Sequence, residues 1–459
     1  MVGQHDRVTL CTAEHGQMRS VMRAKKNSTF RCDDPFWANA CVGNNGSPSY
    51  VEYSIGFSTA ANVLIDKVLE GEGLGLSVDY LVYPVCFNMR HSVELRLKGA
   101  IDELIKTASY KGRNLSFDLV GSHDIGNIWN FFRKQSEELD NRYTLINSSI
   151  NPTISDIAEI DPTGQTFRYA YSNESQKHLT DVSSINFVVL KEKFGQLEKH
   201  LDILHDLSIW LRDEYAEGTF TRKFSRPMLY RLANELPPMS SWADPGFAGV
   251  KRQLMEKYEV GSNELGRAIN KIKDHYVLAS KIGDPLPLKG IRLEQLLIFF
   301  DHWIKQNPQL PEEDTSDLGL DYFANRKSML AELISRGDAR KLFWEEFEGI
   351  LTPEVLAGLH ALFYFSNNRL YVEYYDTVYR SELAEASHLF RSSNDEIRNS
   401  LTHIFDKTNA MTSILISLYA LGHQVAAEYI LERYGIESFH WLEAARSGEL
   451  FAYPLYAGY

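Results

Sequence analysis

Apolar residues recur every three to four positions along most of the chain from Tyr50 onward, which is the spacing of amphipathic α-helices. Clear stripes lie within residues 55–68 and 190–211. We predict about four principal helices in the first 215 residues, with a long connection through 151–161 and a short extended piece at 166–171. Successive long helices pack most readily as a bundle, so the predicted fold class is all-α.

Shifts in composition divide the chain into four parts. Residues 1–48 are polar, with Asn, Gly and Ser near their end, which predicts an irregular N-terminal arm. Residues 49–215 form the predicted bundle. Residues 220–290 are a small helical unit divided by prolines, and residues 291–459 are a C-terminal helical domain. Paired short helices in that domain are solenoid-like in places.

A ladder of ionisable residues interrupts the otherwise apolar helix predicted at 80–105. It consists of Arg90, His91, Glu94 and Lys98. Side chains three and four positions apart on a helix are neighbours, so Glu94 is within reach of the other three. Charges inside an apolar helix are costly unless they are paired, so this ladder is either a buried polar network or a functional site.

The ladder has candidate partners outside its own helix. They are His123 and Asp124, near the start of the next predicted helix, and Arg168. In one interpretation Glu94 bridges Lys98 or Arg168, and His91 is hydrogen-bonded to Asp124. In the other, His91 and Glu94 form a general acid–base pair that lines a pocket.

The net charge of −13 argues against a surface that coats nucleic acid or an anionic membrane. Residues 222–289 are nevertheless locally basic, with twelve Lys or Arg against seven Asp or Glu. Two helices with a short turn between them would suit a helix-turn-helix on DNA, whereas a small linker unit with solvated lysines is the simpler alternative. The candidate nucleic-acid-binding residues are Lys251, Arg252, Arg267, Lys271 and Lys273.

The four cysteines include no CxxC pair, which favours reduced packing residues and excludes a cysteine zinc site. The first residues lack an apolar signal core, and no apolar run is long enough to span a membrane. We therefore expect a cytoplasmic protein without membrane contact. We also expect no metal and no other cofactor.

The sharpest chemical motif is EIRNSLTHIFDK, which contains Arg398, Asn399 and His403. Helical positions five apart lie about 140° around the axis from each other, so the arginine and histidine would flank a groove. A second copy of the chain could close that groove into a composite site. The pair suits RNA cleavage, in which histidine moves a proton and arginine stabilises the charged phosphorane.

The RNxxxH pattern of this motif, preceded by an acidic residue within a helical protein, resembles the signature of HEPN-superfamily ribonucleases. Residues 50–215 also resemble bacterial HEPN-like bundles of uncertain activity, through GFSTAANVLID, YPVCFNMRHSVELRLK, SHDIGNIW and DPTGQTFRY. The resemblance implies a metal-independent endoribonuclease that acts as a toxin or antiviral defence effector. Implied partners are RNA, a second copy of the chain and a protein of a defence or toxin system.

Two other functions fit the sequence. The chain could be a non-catalytic helical scaffold or sensor that uses the charged ladder only for stability, or a DNA-binding regulator that acts through residues 247–273. Within the bundle, Arg90 and His91 are adjacent and lack the HEPN nuclease spacing. Arg398, Asn399 and His403 are therefore the predicted catalytic residues, and the ladder is the reserve site.

Overall fold

The computed structural model describes residues 27–72, 74–171, 177–307 and 326–459, with the side chains of the last range from 337 onward. The predicted all-α class is confirmed. The described residues form seventeen α-helices and no strand, apart from an isolated bridge between Tyr171 and Lys177. None of the described helices is both long and apolar enough to cross a bilayer. Residues 1–26 of the predicted arm lie outside the described ranges.

The N-terminal bundle is built around the longest helix, α2, which packs against three of the others. Its five helices are α1 (Tyr50–Glu70), α2 (Val78–Tyr110), α3 (Ile125–Leu139), α4 (Tyr143–Ile160) and α5 (Phe187–Ala216). Helix α1 begins where Ser49 and Glu52 form a capping box, each side chain accepting a hydrogen bond from the other residue's amide.

The prediction of about four helices missed α4, whose second half occupies much of the expected connection at 151–161. Pro152 lies inside α4, where a helix is not expected from the sequence, because proline lacks an N–H group and usually breaks a helix interior. Here Ile146, Ile150 and Ile154 recur every four residues and are buried, so packing keeps the segment helical. The predicted extended piece at 166–171 forms turns instead.

Two further units follow the bundle. The middle unit contains α6 (Arg226–Glu235), α7 (Phe247–Lys257), α8 (Ser262–Lys273) and α9 (Tyr276–Lys281). The C-terminal unit contains α10 (Leu293–Gln306), α11 (Arg326–Phe347), α12 (Pro353–Phe365), α13 (Tyr374–Ser392), α14 (Asn394–Phe405), α15 (Ala410–Ala420), α16 (Gln424–Arg433) and α17 (Leu442–Ser447). The domain boundaries drawn from the sequence stay predictions.

Helix α12 is the centre of the C-terminal unit. Almost all of its residues are buried, and it packs against α13, α14 and α15. The C-terminal helices contribute to one connected apolar core around α12. The solenoid-like stacking expected in places stays a prediction.

The buried apolar residues form three clusters that largely follow the three units, although Tyr371 and Ala457 pack into the cluster of the bundle and Tyr276 into that of the C-terminal unit. A buried polar junction also joins the middle and C-terminal units. At this junction lies Arg226, the first residue of α6, whose side chain is fully buried. Its guanidinium donates to both carboxylate oxygens of Glu373 at 3.0 and 3.1 Å. It also donates to the hydroxyls of Tyr453 and Tyr459 at 2.9 and 2.8 Å. One arginine therefore ties the middle unit to the C-terminal unit and the chain's last residues.

We predict that Arg226→Ala lowers the free energy of unfolding by about 3–5 kcal/mol, because it leaves the carboxylate of Glu373 buried without its main partner. Urea denaturation followed by circular dichroism measures this change. The exposed Arg252→Ala serves as the control, with an expected effect within about 0.5 kcal/mol. Equal effects of the two substitutions would contradict the junction's role.

Candidate functional site

Helix α14 carries the motif that the sequence singled out. Ser393 caps the helix by accepting a hydrogen bond from the amide of Glu396. Buried apolar side chains hold the inner face against the core; they are Ile397, Leu401, Ile404 and Phe405. These contacts leave Asn399 and His403 exposed and Arg398 half-buried.

The three motif residues have different neighbours within one chain. The Arg398 guanidinium carbon lies 5.9 Å from the centre of the Trp344 ring on α11, a cation–π contact. His403 instead borders a groove of about 450 Å³ that α12 and α13 also line. Arg398 and Asn399 are outside the lining of that groove. A single chain therefore does not bring the predicted arginine and histidine together in it.

The groove contains a second histidine that the motif did not include. His360 of α12 and Glu382 of α13 face each other, with 3.1 Å between Nδ1 and the carboxylate. The other ring nitrogen, Nε2, lies 3.1 Å from the carbonyl oxygen of Ser400 on α14. Both neighbours are acceptors, so both hydrogen bonds form together only when the ring carries two protons. His360 thus joins the three helices that form the groove.

His403 is suited to accepting a proton. Partial burial lowers its pKa below the usual 6.5, and the positive charges of Lys407 and His360 act in the same direction. Asp406 opposes the shift. A histidine that is neutral at physiological pH and exposed to solvent can act as a general base.

The rest of the groove is acidic and aromatic. Its lining includes Glu382 and Glu385, together with Tyr364. Burial raises the pKa of Tyr364, and the two carboxylates add to that shift, so its hydroxyl remains protonated. The groove contains proton-transfer groups, but its lining includes no arginine or lysine from the part of the chain that the structure describes.

Sequence reasoning missed His360 and Glu382. The two residues are 22 positions apart on different helices, so no local motif connects them. The usable signal was the single histidine in the otherwise apolar run of α12, where a buried polar group requires a partner. Which partner it finds depends on how α12 packs against α13.

The charged ladder is a buried network centred on Glu94. The side chains of Arg90, Glu94 and Lys98 are almost fully buried, as one of the two interpretations predicted. Glu94 is paired with Arg90 on one oxygen, and its other oxygen lies 2.9 Å from Lys98 Nζ and 3.0 Å from His123 Nδ1. Burial opposes the charge of Glu94, but His91 and these three partners outweigh burial and hold its pKa well below the usual range.

Arg90 also fixes the loop after α4. It donates to the backbone carbonyls of His123, Asp161 and Pro162, the last two at 3.2 and 2.7 Å. Gly164 of this loop has φ +77°, and a Cβ there would lie 3.4 Å from the guanidinium. The left-handed backbone conformation therefore favours glycine at this position.

Two expected contacts of the ladder do not form, namely His91 with Asp124 and Glu94 with Arg168. His91 is packed against the rings of Phe57 and Phe87, 3.9 Å from Glu94, and is not hydrogen-bonded to Asp124. Asp124 instead caps α3 by accepting from the amide of Asn127 at 2.8 Å. Arg168 is exposed beside aromatic rings and does not pair with Glu94. Aromatic packing and helix capping account for these differences.

The basic residues of the middle unit lie on the predicted helix pair, α7 and α8, joined by a four-residue turn. Arg267 is ion-paired with Glu264 at 3.4 Å, and Lys271 donates to the carbonyl of Gly218 at 2.8 Å. Lys251 lies 4.8 Å from the centre of the Phe247 ring. Arg252 is exposed and Lys273 is half-buried. Their role in DNA binding stays a prediction.

No family model, no curated protein and no solved structure matches this chain. The described residues also contain no group of three or more His, Cys, Asp or Glu side chains arranged to hold a metal ion.

We predict that Glu94→Gln lowers the free energy of unfolding by about 3 kcal/mol at pH 7, because it leaves Arg90 and Lys98 without a buried counter-charge. The pKa of Glu94 is lower in the folded state, so its stabilisation is present above the unfolded value of about 4.5 and decreases as the pH falls below it. Urea denaturation from pH 7 to pH 3 should show the difference between variant and wild type shrinking.

The control is Glu256→Gln, which changes an exposed carboxylate of the middle unit. It should leave the pH dependence of stability unchanged. A difference between Glu94→Gln and wild type that stays constant down to pH 3 would contradict a charged Glu94 in the folded protein.

Proposed function

We propose that the protein is a metal-independent endoribonuclease of the HEPN type, with His403 as its proton-transfer residue. The observation that supports it is the exposed position of His403 in a groove beside the His360–Glu382 pair. A toxin or antiviral defence role is the biological setting that such an activity and the motif resemblance suggest.

In the proposed reaction, neutral His403 removes the proton of an RNA 2′-hydroxyl. The resulting oxygen attacks the adjacent phosphorus, and the 5′-oxygen leaves and takes up a proton from water or a general acid. The lowered pKa of His403 keeps its imidazole ready to accept that proton at neutral pH. His360 positions the groove by linking α13 to the backbone of α14.

The phosphate needs a positive group, because Glu382 and Glu385 would repel it. The described residues that line the groove of one chain supply no such group. Arg398 is the proposed donor of that charge, supplied by a second copy of the chain. Its cation–π contact with Trp344 leaves it half-buried, at a surface that a second copy can approach. Arginine stabilises the developing phosphorane through its fixed pair of donors.

A non-catalytic scaffold or sensor is the second candidate. The separation of Arg398 from His403 within the chain favours it, as does the acidic groove. In this function the charged groove residues recognise a partner protein, and no bond is cleaved.

We predict that the wild-type chain degrades RNA in the presence of EDTA and that His403→Ala reduces the rate about 10²–10⁴-fold, the usual contribution of a general base. The rate should fall at acidic pH with a midpoint below 6.5, because protonated His403 cannot accept a proton. Cleavage of a labelled RNA measures both effects.

The matched control is His388→Ala, which removes an exposed histidine of α13 outside the groove lining. It should retain wild-type activity. Absence of RNA cleavage by the wild-type chain, or equal rates for the two histidine variants, would exclude the ribonuclease and leave the scaffold.

The composite site predicts complementation between two inactive variants. Arg398→Ala and His403→Ala should each be inactive alone. When the two variants are mixed and allowed to exchange subunits, about a quarter of wild-type activity should return. The reason is that half of the random dimers are heterodimers, and each heterodimer has one intact site of two. Lack of recovery in a mixture shown to contain heterodimers would contradict a shared site.

A further inference from the structure

A separate cavity of about 260 Å³ lies in the N-terminal bundle, outside the groove on α14. Its walls are formed by helices α2, α4 and α5 and, from the connection between α4 and α5, by Asp161, Phe167, Val182 and Ile185. Most of the lining side chains are apolar, among them Met89, Ile157, Phe167 and Leu197. It is larger than the apolar cavity of about 150 Å³ that can hold benzene, so a small organic molecule fits the space.

Among the described residues of the cavity wall, Asp161 has a buried acceptor atom without a hydrogen-bond donor. Asp161 is 1% exposed and belongs to the lining. Its Oδ1 accepts a hydrogen bond from the amide of Thr166 at 3.1 Å, whereas its Oδ2 accepts none from the described residues. A buried acceptor without a donor is costly, so a donor from a bound molecule would be stabilising.

The other charges of the wall restrict the chemistry of that molecule. Arg90 also lines the cavity, but four of its five N–H groups already donate to Glu94 and to the carbonyls of His123, Asp161 and Pro162. Asp156 and Lys193 also belong to the lining, and both are exposed, so they add one charge of each sign. Next to the buried Asp161 itself, an anionic group would meet repulsion from the carboxylate, whereas a donor would meet an open acceptor.

We propose that this cavity binds a compact, mostly apolar molecule bearing one N–H or O–H donor, which donates to Oδ2 of Asp161. The apolar wall provides most of the contact area, and Asp161 fixes the orientation of the ligand. This site is independent of the ribonuclease proposal, because it shares no residue with the groove on α14.

Calorimetric titration of the full chain with four probes tests the chemistry. Benzylamine and benzyl alcohol should bind saturably and at least about tenfold more tightly than toluene, since a hydrogen bond to a charged acceptor contributes more than about 1.4 kcal/mol. Benzoate, which has a similar ring but no donor, should bind more weakly than benzylamine. The ratio of benzylamine to benzyl alcohol affinity distinguishes a charged donor from a neutral one.

Two substitutions locate the binding. Ile157→Trp on α4 should fill the cavity and abolish binding of all probes, whereas Leu145→Trp, at an exposed position of the same helix outside the lining, should not. Asp161→Asn should reduce the preference for benzylamine over toluene. Circular dichroism and thermal unfolding establish that each variant is folded.

Three results would overturn the proposal. They are the absence of saturable binding of benzylamine and benzyl alcohol, equal affinity for these probes and toluene, and unchanged binding in folded Ile157→Trp. The RNA-cleavage assay is unaffected by any of them, so failure of this site and failure of the ribonuclease proposal are distinguishable.

Discussion

The rest of the structure depends on the pairing of Arg226, because a fully buried guanidinium is tolerated only when its donors and charge are satisfied. Its partners come from distant parts of the chain. They include Glu373, which precedes α13, and the hydroxyls of Tyr453 and Tyr459 near the end of the sequence. Burial opposes the charge of Glu373, but Arg226 and His275 outweigh it and hold the pKa of this carboxyl well below its usual range. The middle and C-terminal units must therefore dock together with the last residues in place.

Two largely buried arginines of the N-terminal bundle, Arg90 and Arg142, also have their charge paired and their donors hydrogen-bonded. Arg142 is held by Asp140 and Glu214 at 2.8 and 2.7 Å and also donates to the carbonyl of Ala457. The last residues of the chain are thus attached to the bundle as well as to Arg226. Arg90 fastens the loop after α4 in a similar way. Each arginine holds the segments that it connects in a defined relative position. Apolar contacts alone define that position less well, because hydrophobic attraction is not directional whereas hydrogen bonds are.

The two candidate sites lie apart from the Arg226 junction and differ in character. The groove beside His403 is open and polar, with proton-transfer groups on three helices, and suits chemistry on a substrate that is presented from solution. The cavity beside Asp161 is mostly apolar and suits retention of a small molecule. Arg90 links the cavity to the charged ladder, so a ligand there would contact the same guanidinium that orders the loop. The proposed binding site therefore borders the ladder, whose own charges remain paired.

The sequence by itself determined the all-α class and the long helices α1, α2 and α5, because helical periodicity is a local property. It also showed that the charges of Arg90, Glu94 and Lys98 need partners, because unpaired charge in an apolar helix is costly. It also identified His403 as a candidate acid–base residue. Only the tertiary structure decided that His403 faces His360 and Glu382 while Arg398 stacks on Trp344, since those neighbours come from other helices. It also decided that α4 continues through Pro152, where burial of the apolar face outweighed the helix-breaking tendency of proline. Local patterns fix which groups need partners, and packing decides which partners they meet.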